Sequence, residues 1–140
     1  MTNPLRGLST IRYQAFDHQA AKRWYSEFLG LEPYFDRPGY CEFRLGDFQA
    51  ELGLLDANYL GTLGTAETSG TPGGVVAYWH VDDLEGTIER LVAMGAVVHE
   101  PVRQFGEGFI GAAVLDPFGN ILGLMHNAHY LAIVGELAKA

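Results

Sequence analysis

The sequence predicts an α+β fold in which one βαβββ pattern is written twice. Runs that alternate apolar and polar residues surround a stretch of helical periodicity, in the same order in each half of the chain. In each half an aspartate opens the helical stretch and a glycine closes it, Asp17 to Gly30 and Asp82 to Gly95, with the same spacing. A Gly- and Thr-rich segment, residues 56–74, separates the halves and reads as an inter-module loop.

The elements follow in order. Leu8 to Gln14 alternates as a half-buried strand does. Asp17 offers an N-cap, and Ala20, Ala21, Trp24, Tyr25, Phe28 and Leu29 then form one apolar helical stripe that Gly30 ends. Trp24, Tyr25 and Phe28 read as helix-to-sheet packing. Three strand-like runs follow, residues 31–35, 40–45 and 48–55, divided by turns at Pro38-Gly39 and Gly46-Asp47. In the second half, residues 75–81 are rich in β-branched and aromatic residues and read as a strand. Asp82 and Asp83 offer the cap, and Leu84, Ile88, Leu91 and Val92 give the helix its apolar face before Gly95. Residues 96–99, 109–115 and 120–126 read as strands, the last two joined by the turn Asp116-Pro117-Phe118-Gly119. Beyond them Tyr130, Ile133, Val134 and Leu137 suggest a short amphipathic helix, capped near Asn127 and weakened by Gly135. The expected layout is a single domain: module one at 8–55, the loop at 56–74, module two at 75–126 and a C-terminal helix within 127–140.

One short helix cannot cover a four-stranded sheet. Paired, the two sheets are expected to curve into a cup with the helices outside, leaving a concave face as the default ligand site. The pairing can be made within one chain or by exchange of modules between two chains.

Bulk properties narrow the function. At 140 residues the chain is one domain's worth of sequence. Its 48% hydrophobic and 19% charged content is that of a globular protein and not a disordered one. Cys41 is the single cysteine, so no internal disulfide forms, which fits a reducing compartment. No apolar run resembles a signal peptide or reaches the length of a membrane span, so the protein is expected to be cytoplasmic and without membrane partners. The net charge of −8 argues against nucleic acid as a partner. It is compatible with a cationic ligand, although solubility alone accounts for it.

Three segments carry a family resemblance. Asp17-His18-Gln19-Ala20-Ala21-Lys22-Arg23-Trp24-Tyr25-Ser26-Glu27-Phe28-Leu29-Gly30-Leu31 resembles the first helix of the vicinal oxygen chelate superfamily, the group of glyoxalase I, bleomycin-resistance proteins and extradiol dioxygenases. His80-Val81-Asp82-Asp83-Leu84 resembles the strand-to-helix step of its second module. Asp116-Pro117-Phe118-Gly119-Asn120-Ile121-Leu122-Gly123-Leu124 resembles its turn and final strand. The resemblance implies paired βαβββ modules. It leaves function open, because the fold hosts enzymes and pure binders.

Metal-dependent members place four ligands, usually His, Glu or Gln, on the cleft face. Carried over by offset from the helix caps and turns, the first falls on Thr10, the third on Val76 and the fourth on Gly123, none of them a good ligand. The second falls on Glu51 or, by the internal repeat, on Gly53. No resident metal or other cofactor is therefore expected. A divalent ion in an altered site, with Glu51 and His80, is the alternative.

Alternation places Thr10, Arg12 and Gln14 on one side of the first strand and Val76, Tyr78 and His80 on the matching side of the fifth. Arg12, Gln14, Glu51, Tyr78 and His80 are thus the candidate ligand-binding residues, expected in one cavity. Arg12 suits a carboxylate or carbonyl because its fork binds two oxygens at once, against a plain ion pair with Glu51 or Asp82. His80 and Tyr78 are the catalytic candidates if a reaction occurs, since an imidazole moves protons near neutrality. A hydrogen-bonded core histidine is the competing reading, and Trp79 reads as core. His18 and His99 read as surface residues, and His126 and His129 as solvated or interface histidines. No nucleophile elbow or phosphate loop is present.

The function these residues suggest is metal-free binding of an antibiotic-like or aromatic small molecule. The alternative is a lyase, isomerase or dioxygenase with an altered or absent divalent-metal site, using His80 and Tyr78. A homodimer is expected, because the C-terminal stripe needs a surface to cover it.

Overall fold

The computed structural model describes residues 3, 8–59 and 76–139. The chain divides into two compact units, residues 1–67 and 68–140. Of the expected inter-module loop, residues 60–74 lie outside the described part, as does residue 75.

The first unit runs β1 (Thr10–Ala15), α1 (His18–Leu29), β2 (Phe35–Arg37), β3 (Tyr40–Leu45) and β4 (Ala50–Asp56), then a single 3-10 turn, Ala57–Tyr59. The sheet order is β1-β4-β3-β2, with β1 parallel to β4 and the remaining pairs antiparallel. A parallel pair needs a long crossover, which α1 begins. Asp17 caps α1 by accepting from the Ala20 N–H at 3.0 Å, and Gly30 ends it at φ 67°, donating to the Ser26 carbonyl. Tyr13, Cys41, Phe43, Leu52 and Leu54 are buried with Ala21 and Tyr25 of α1. The Tyr25 and Tyr13 rings lie 6.0 Å apart. Trp24 meets Tyr25 edge-on at 4.7 Å and Phe28 at 5.9 Å.

Three local readings change. His18 is buried at 5% exposure and not a surface residue, its Nε2 donating to the Leu54 carbonyl at 2.9 Å. β2 begins only at Phe35, after Pro33, which has no N–H to give a ladder. β4 begins at Ala50 because Gln49, at φ 55°, closes a turn onto the Gly46 carbonyl.

The second unit runs β5 (Tyr78–His80), α2 (Leu84–Ala93), β6 (Val97–Gly106), β7 (Phe109–Leu115), β8 (Ile121–Asn127) and α3 (Ala128–Leu137). Its sheet repeats the first, in the order β5-β8-β7-β6 with β5 parallel to β8. Leu84 and Leu91 of α2 are buried together with Val114, Leu122 and Leu124. Of the two candidate caps Asp83 does the work, accepting from the Gly86 N–H at 3.0 Å. β6 runs well past residue 99, through Pro101. It is an edge strand broken by three register shifts, where a missing N–H is tolerated. Buried Asp116 ties its turn by accepting from the N–H groups of Phe118 and Asn120 at 2.9 and 2.8 Å.

Asn127 caps α3 through the Tyr130 N–H at 2.9 Å, as its position suggests. No residue of α3 is buried, and Leu131 and Leu137 are exposed. No helix among the described residues is long and apolar enough to cross a membrane.

The caps supply a direct test. Asp17→Ala and Asp83→Ala should each lower unfolding free energy by about 0.5–2 kcal/mol in urea titrations, whereas Asp→Asn at either position should cost much less.

Candidate functional site

Strand register fixes which residues share the face of the first sheet that points away from α1. Thr10 lies opposite Glu51, Arg12 opposite Gly53, and Gln14 opposite Leu55. On the far side of β4, Arg44 pairs with Glu51, Glu42 with Gly53 and Tyr40 with Leu55. Tyr13 and Ala15 are buried on the α1 side, so these residues occupy the opposite one. Arg12, Gln14 and Glu51 therefore stand on one face, as strand alternation predicts. The sequence reading missed Tyr34, Tyr40, Glu42 and Arg44. The signal for the last three was present: Tyr40, Glu42 and Arg44 alternate with Cys41, Phe43 and Leu45.

These groups form a continuous polar network. Thr10 Oγ1 donates to Glu51 Oε1 at 2.8 Å. The Tyr34 hydroxyl lies between Glu42 and Glu51, 2.9 Å from Glu51 Oε2. Tyr40 donates to the other oxygen of Glu42 at 2.9 Å. Arg44 Nη2 is 3.5 Å from Glu51 Oε2, and its guanidinium sits 4.1 Å above the Tyr34 ring. The Thr10 and then the Tyr34 hydroxyl bonds hold the Glu51 carboxyl below its ordinary range. The bond to Glu42 leads in pushing the Tyr34 phenol up to about 12, since losing its proton would set a third negative charge beside two carboxylates. Burial, then Glu42, raises Tyr40. Gly53 makes the arrangement possible, because a Cβ there would come within 2.9 Å of the Tyr40 ring carbon that bears the hydroxyl.

Arg12 stands apart. It is exposed beside Gly53, with no hydrogen bond or ion pair to another described residue. Glu51, its expected partner in this unit, is occupied by Thr10, Tyr34 and Arg44.

Tyr78 and His80 belong to the second unit. Tyr78 pairs with Gly123, its ring lying where a Gly123 side chain would project, and its hydroxyl donates to Glu100 Oε2 at 3.1 Å. Burial, then Glu100, raises its phenol above the ordinary value. The His80 side chain is 7% exposed. Its Nδ1 accepts from the Asn127 N–H at 3.1 Å, which leaves the proton on Nε2 to point at Asp82 Oδ1, 3.2 Å away. Tyr130 stacks on the ring at 5.0 Å and His126 lies 5.5 Å away. Both imidazole nitrogens are thus engaged. Trp79 turns to the other face, its indole N–H buried without a partner among the described residues.

The metal positions can be tested against the register. Gly53 pairs with Arg12 and Gly123 with Tyr78, so the two glycines hold equivalent places in the two units. Glu51 pairs with Thr10, one row away. Val76 and Gly123 carry no donor side chain, and Thr10 spends its hydroxyl proton on Glu51. Among the described residues no three His, Cys, Asp or Glu side chains gather as a ligand set. The residues at these positions do not fit a divalent metal.

Two βαβββ units, each with a parallel strand pair and a helix on one side, define a recognisable class. The chain belongs to the Glyoxalase/Bleomycin resistance protein/Dioxygenase superfamily, whose family model matches residues 7–124. Among solved structures it is similar to a glyoxalase-related enzyme from Fulvimarina pelagi, with 26% identity and a TM-score of 0.70 over 88% of this chain and 89% of that one. It has the fold of a family enzyme from Burkholderia phytofirmans PsJN, with 18% identity, a TM-score of 0.68 and coverage of 84% and 95%. It also has the fold of a lactoylglutathione lyase from Agrobacterium tumefaciens, with 22% identity, a TM-score of 0.65 and coverage of 88% and 95%. No curated protein matches the chain.

The network predicts its own titration. Glu51 should titrate in a carboxyl NMR series below the ordinary glutamate value of about 4.3, and Thr10→Val should raise it. Because the folded value lies below the unfolded one, the stabilisation from Glu51 is present above about pH 4.3 and is lost as pH falls through the folded value. Unchanged titration in Thr10→Val would contradict the network.

Proposed function

We propose that the protein binds a small organic molecule without a metal, on the sheet face that carries Arg12, Gln14 and Glu51. The observation that supports this most is the contrast between Arg12 and its neighbours. Glu51, Glu42, Tyr34, Tyr40 and Arg44 answer one another's charge and hydrogen bonds, whereas Arg12 is left without a partner among the described residues. A guanidinium fork beside a glycine, with a tyrosine in the next row, suits a planar molecule bearing a carboxylate or carbonyl. In the second unit Tyr78 presents a phenol of its own, 38% exposed over Gly123. His80, with both nitrogens engaged, suits a positioning role better than proton transfer. That weighs against the alternative of a lyase, isomerase or dioxygenase acting through His80 and Tyr78.

A thermal-shift screen of aromatic carboxylates, antibiotics and divalent metals tests this, since a ligand of the native state raises the midpoint. An aromatic carboxylate should raise the midpoint in the wild type. Arg12→Ala should weaken its binding about ten- to a hundredfold, the loss of one charge-assisted bond, with the fold intact. A midpoint raised by zinc, nickel or manganese alone, and reversed by a chelator, would instead favour the metal enzyme. We also propose a homodimer covering the exposed leucines of α3. Light scattering at micromolar concentration should give twice the chain mass, and a monomer would reject it.

A further inference from the structure

We propose a second binding site, at the end of the first sheet, for a small soluble alkylammonium ion. It uses none of the residues of the face described above and stands whether or not that face binds a ligand. An open cavity of about 630 Å3 lies where β1 passes into α1, where β2 turns into β3, and where β4 runs into the 3-10 turn. Phe16, Asp17, His18, Gly39, Asp56 and Tyr59 are among the residues lining it, and among the described residues no lysine or arginine lines it. Its size is that of a small-molecule pocket.

Two features of the lining select the ligand. The first is aromatic surface facing water: Phe16 is 75% exposed and Tyr59 45%. The Tyr59 ring is held by its close approach to Gly39, where φ is 85° and a Cβ would stand 3.0 Å from ring carbon Cδ2. The second is a pair of anchored carboxylates. Asp17 Oδ1 accepts from the Ala20 N–H, and Asp56 Oδ1 accepts from the Asn58 N–H at 2.9 Å and the Asn58 amide at 2.7 Å. Asp17 offsets the partial positive charge of the α1 N-terminus, which leaves Asp56 to make the cavity negative.

An anion would meet two carboxylates here. A bare divalent ion would find too few oxygen ligands free of other bonds. A neutral apolar molecule would desolvate the carboxylates for nothing in return. A cation whose charge is spread over methyl groups suits both features, since it is weakly hydrated and attracted by ring faces.

Choline is the probe, titrated into the full chain at low salt and followed by amide NMR shifts. Saturable binding should perturb residues 16–19, 38–39 and 56–59. The uncharged tert-butyl analogue of choline should bind at least about tenfold more weakly. Phe16→Ala and Asp56→Asn should each weaken choline about three- to tenfold, whereas Arg12→Ala should leave it unchanged. Phe16 is exposed and asparagine retains the acceptor for Asn58, so both variants should fold with wild-type melting. Equal binding of the uncharged analogue, shifts confined to the Arg12 face, or no saturation would each overturn the proposal. The same headgroup also occurs in lipid, so phosphatidylcholine vesicles form a parallel arm. Capture by vesicles without binding of free choline would overturn the soluble ligand.

Discussion

The parallel pairing of the first and last strand of each unit is the constraint on which the rest depends. Two parallel neighbours cannot be joined by a tight turn, so the chain must cross back over the sheet, and α1 and α2 begin those crossings. A helix seated on one face claims the apolar residues of every strand beneath it. The alternate residues are then committed to the other face. A slip of β1 by one residue against β4 would carry Tyr13 to the polar side and Arg12 under the helix. The caps at Asp17 and Asp83 fix where each helix starts, and so which strand residue stands in which row.

Two glycines show how that register shapes the polar faces. Gly53 and Gly123 sit at equivalent places, each paired with the residue five before a helix cap. Each is a place where a tyrosine, Tyr40 or Tyr78, lies against the strand, and each tyrosine donates to a glutamate. In both units the register thus sets an aromatic ring and a tyrosine-to-glutamate hydrogen bond beside a glycine.

The network around Glu51 is half-exposed, so its hydrogen bonds contribute little to folding compared with the buried Phe43, Leu52 and Leu54. Its effect is to hold side chains in place. One phenol proton at Tyr34 is shared between two carboxylates, and Arg44 lies across the same ring. Side chains fixed in this way have little rotamer freedom left to lose, which is what the proposed ligand site needs.

The sequence by itself determined the α+β class, the doubled βαβββ order, both helix starts to within a residue and the shared face of Arg12, Gln14 and Glu51. These follow from periodicity and capping, which are local properties of the chain. It misplaced strand ends at β2, β4 and β6, where a proline, a left-handed glutamine and an edge position override pattern, and it expected β5 over 75–81, whereas the strand is Tyr78–His80. It placed His18 on the surface, although the polypeptide seats that ring under the Leu54 carbonyl. Only the tertiary structure decided that Glu51 belongs to Tyr34 and Thr10 and not to Arg12, and that His80 is locked between Asn127 and Asp82. The Thr10–Glu51 and His80–Asn127 partnerships join residues 41 and 47 positions apart. Strand pairing over that distance is set by the packing of the whole unit, and no local rule of sequence encodes which of several polar groups on a face will meet.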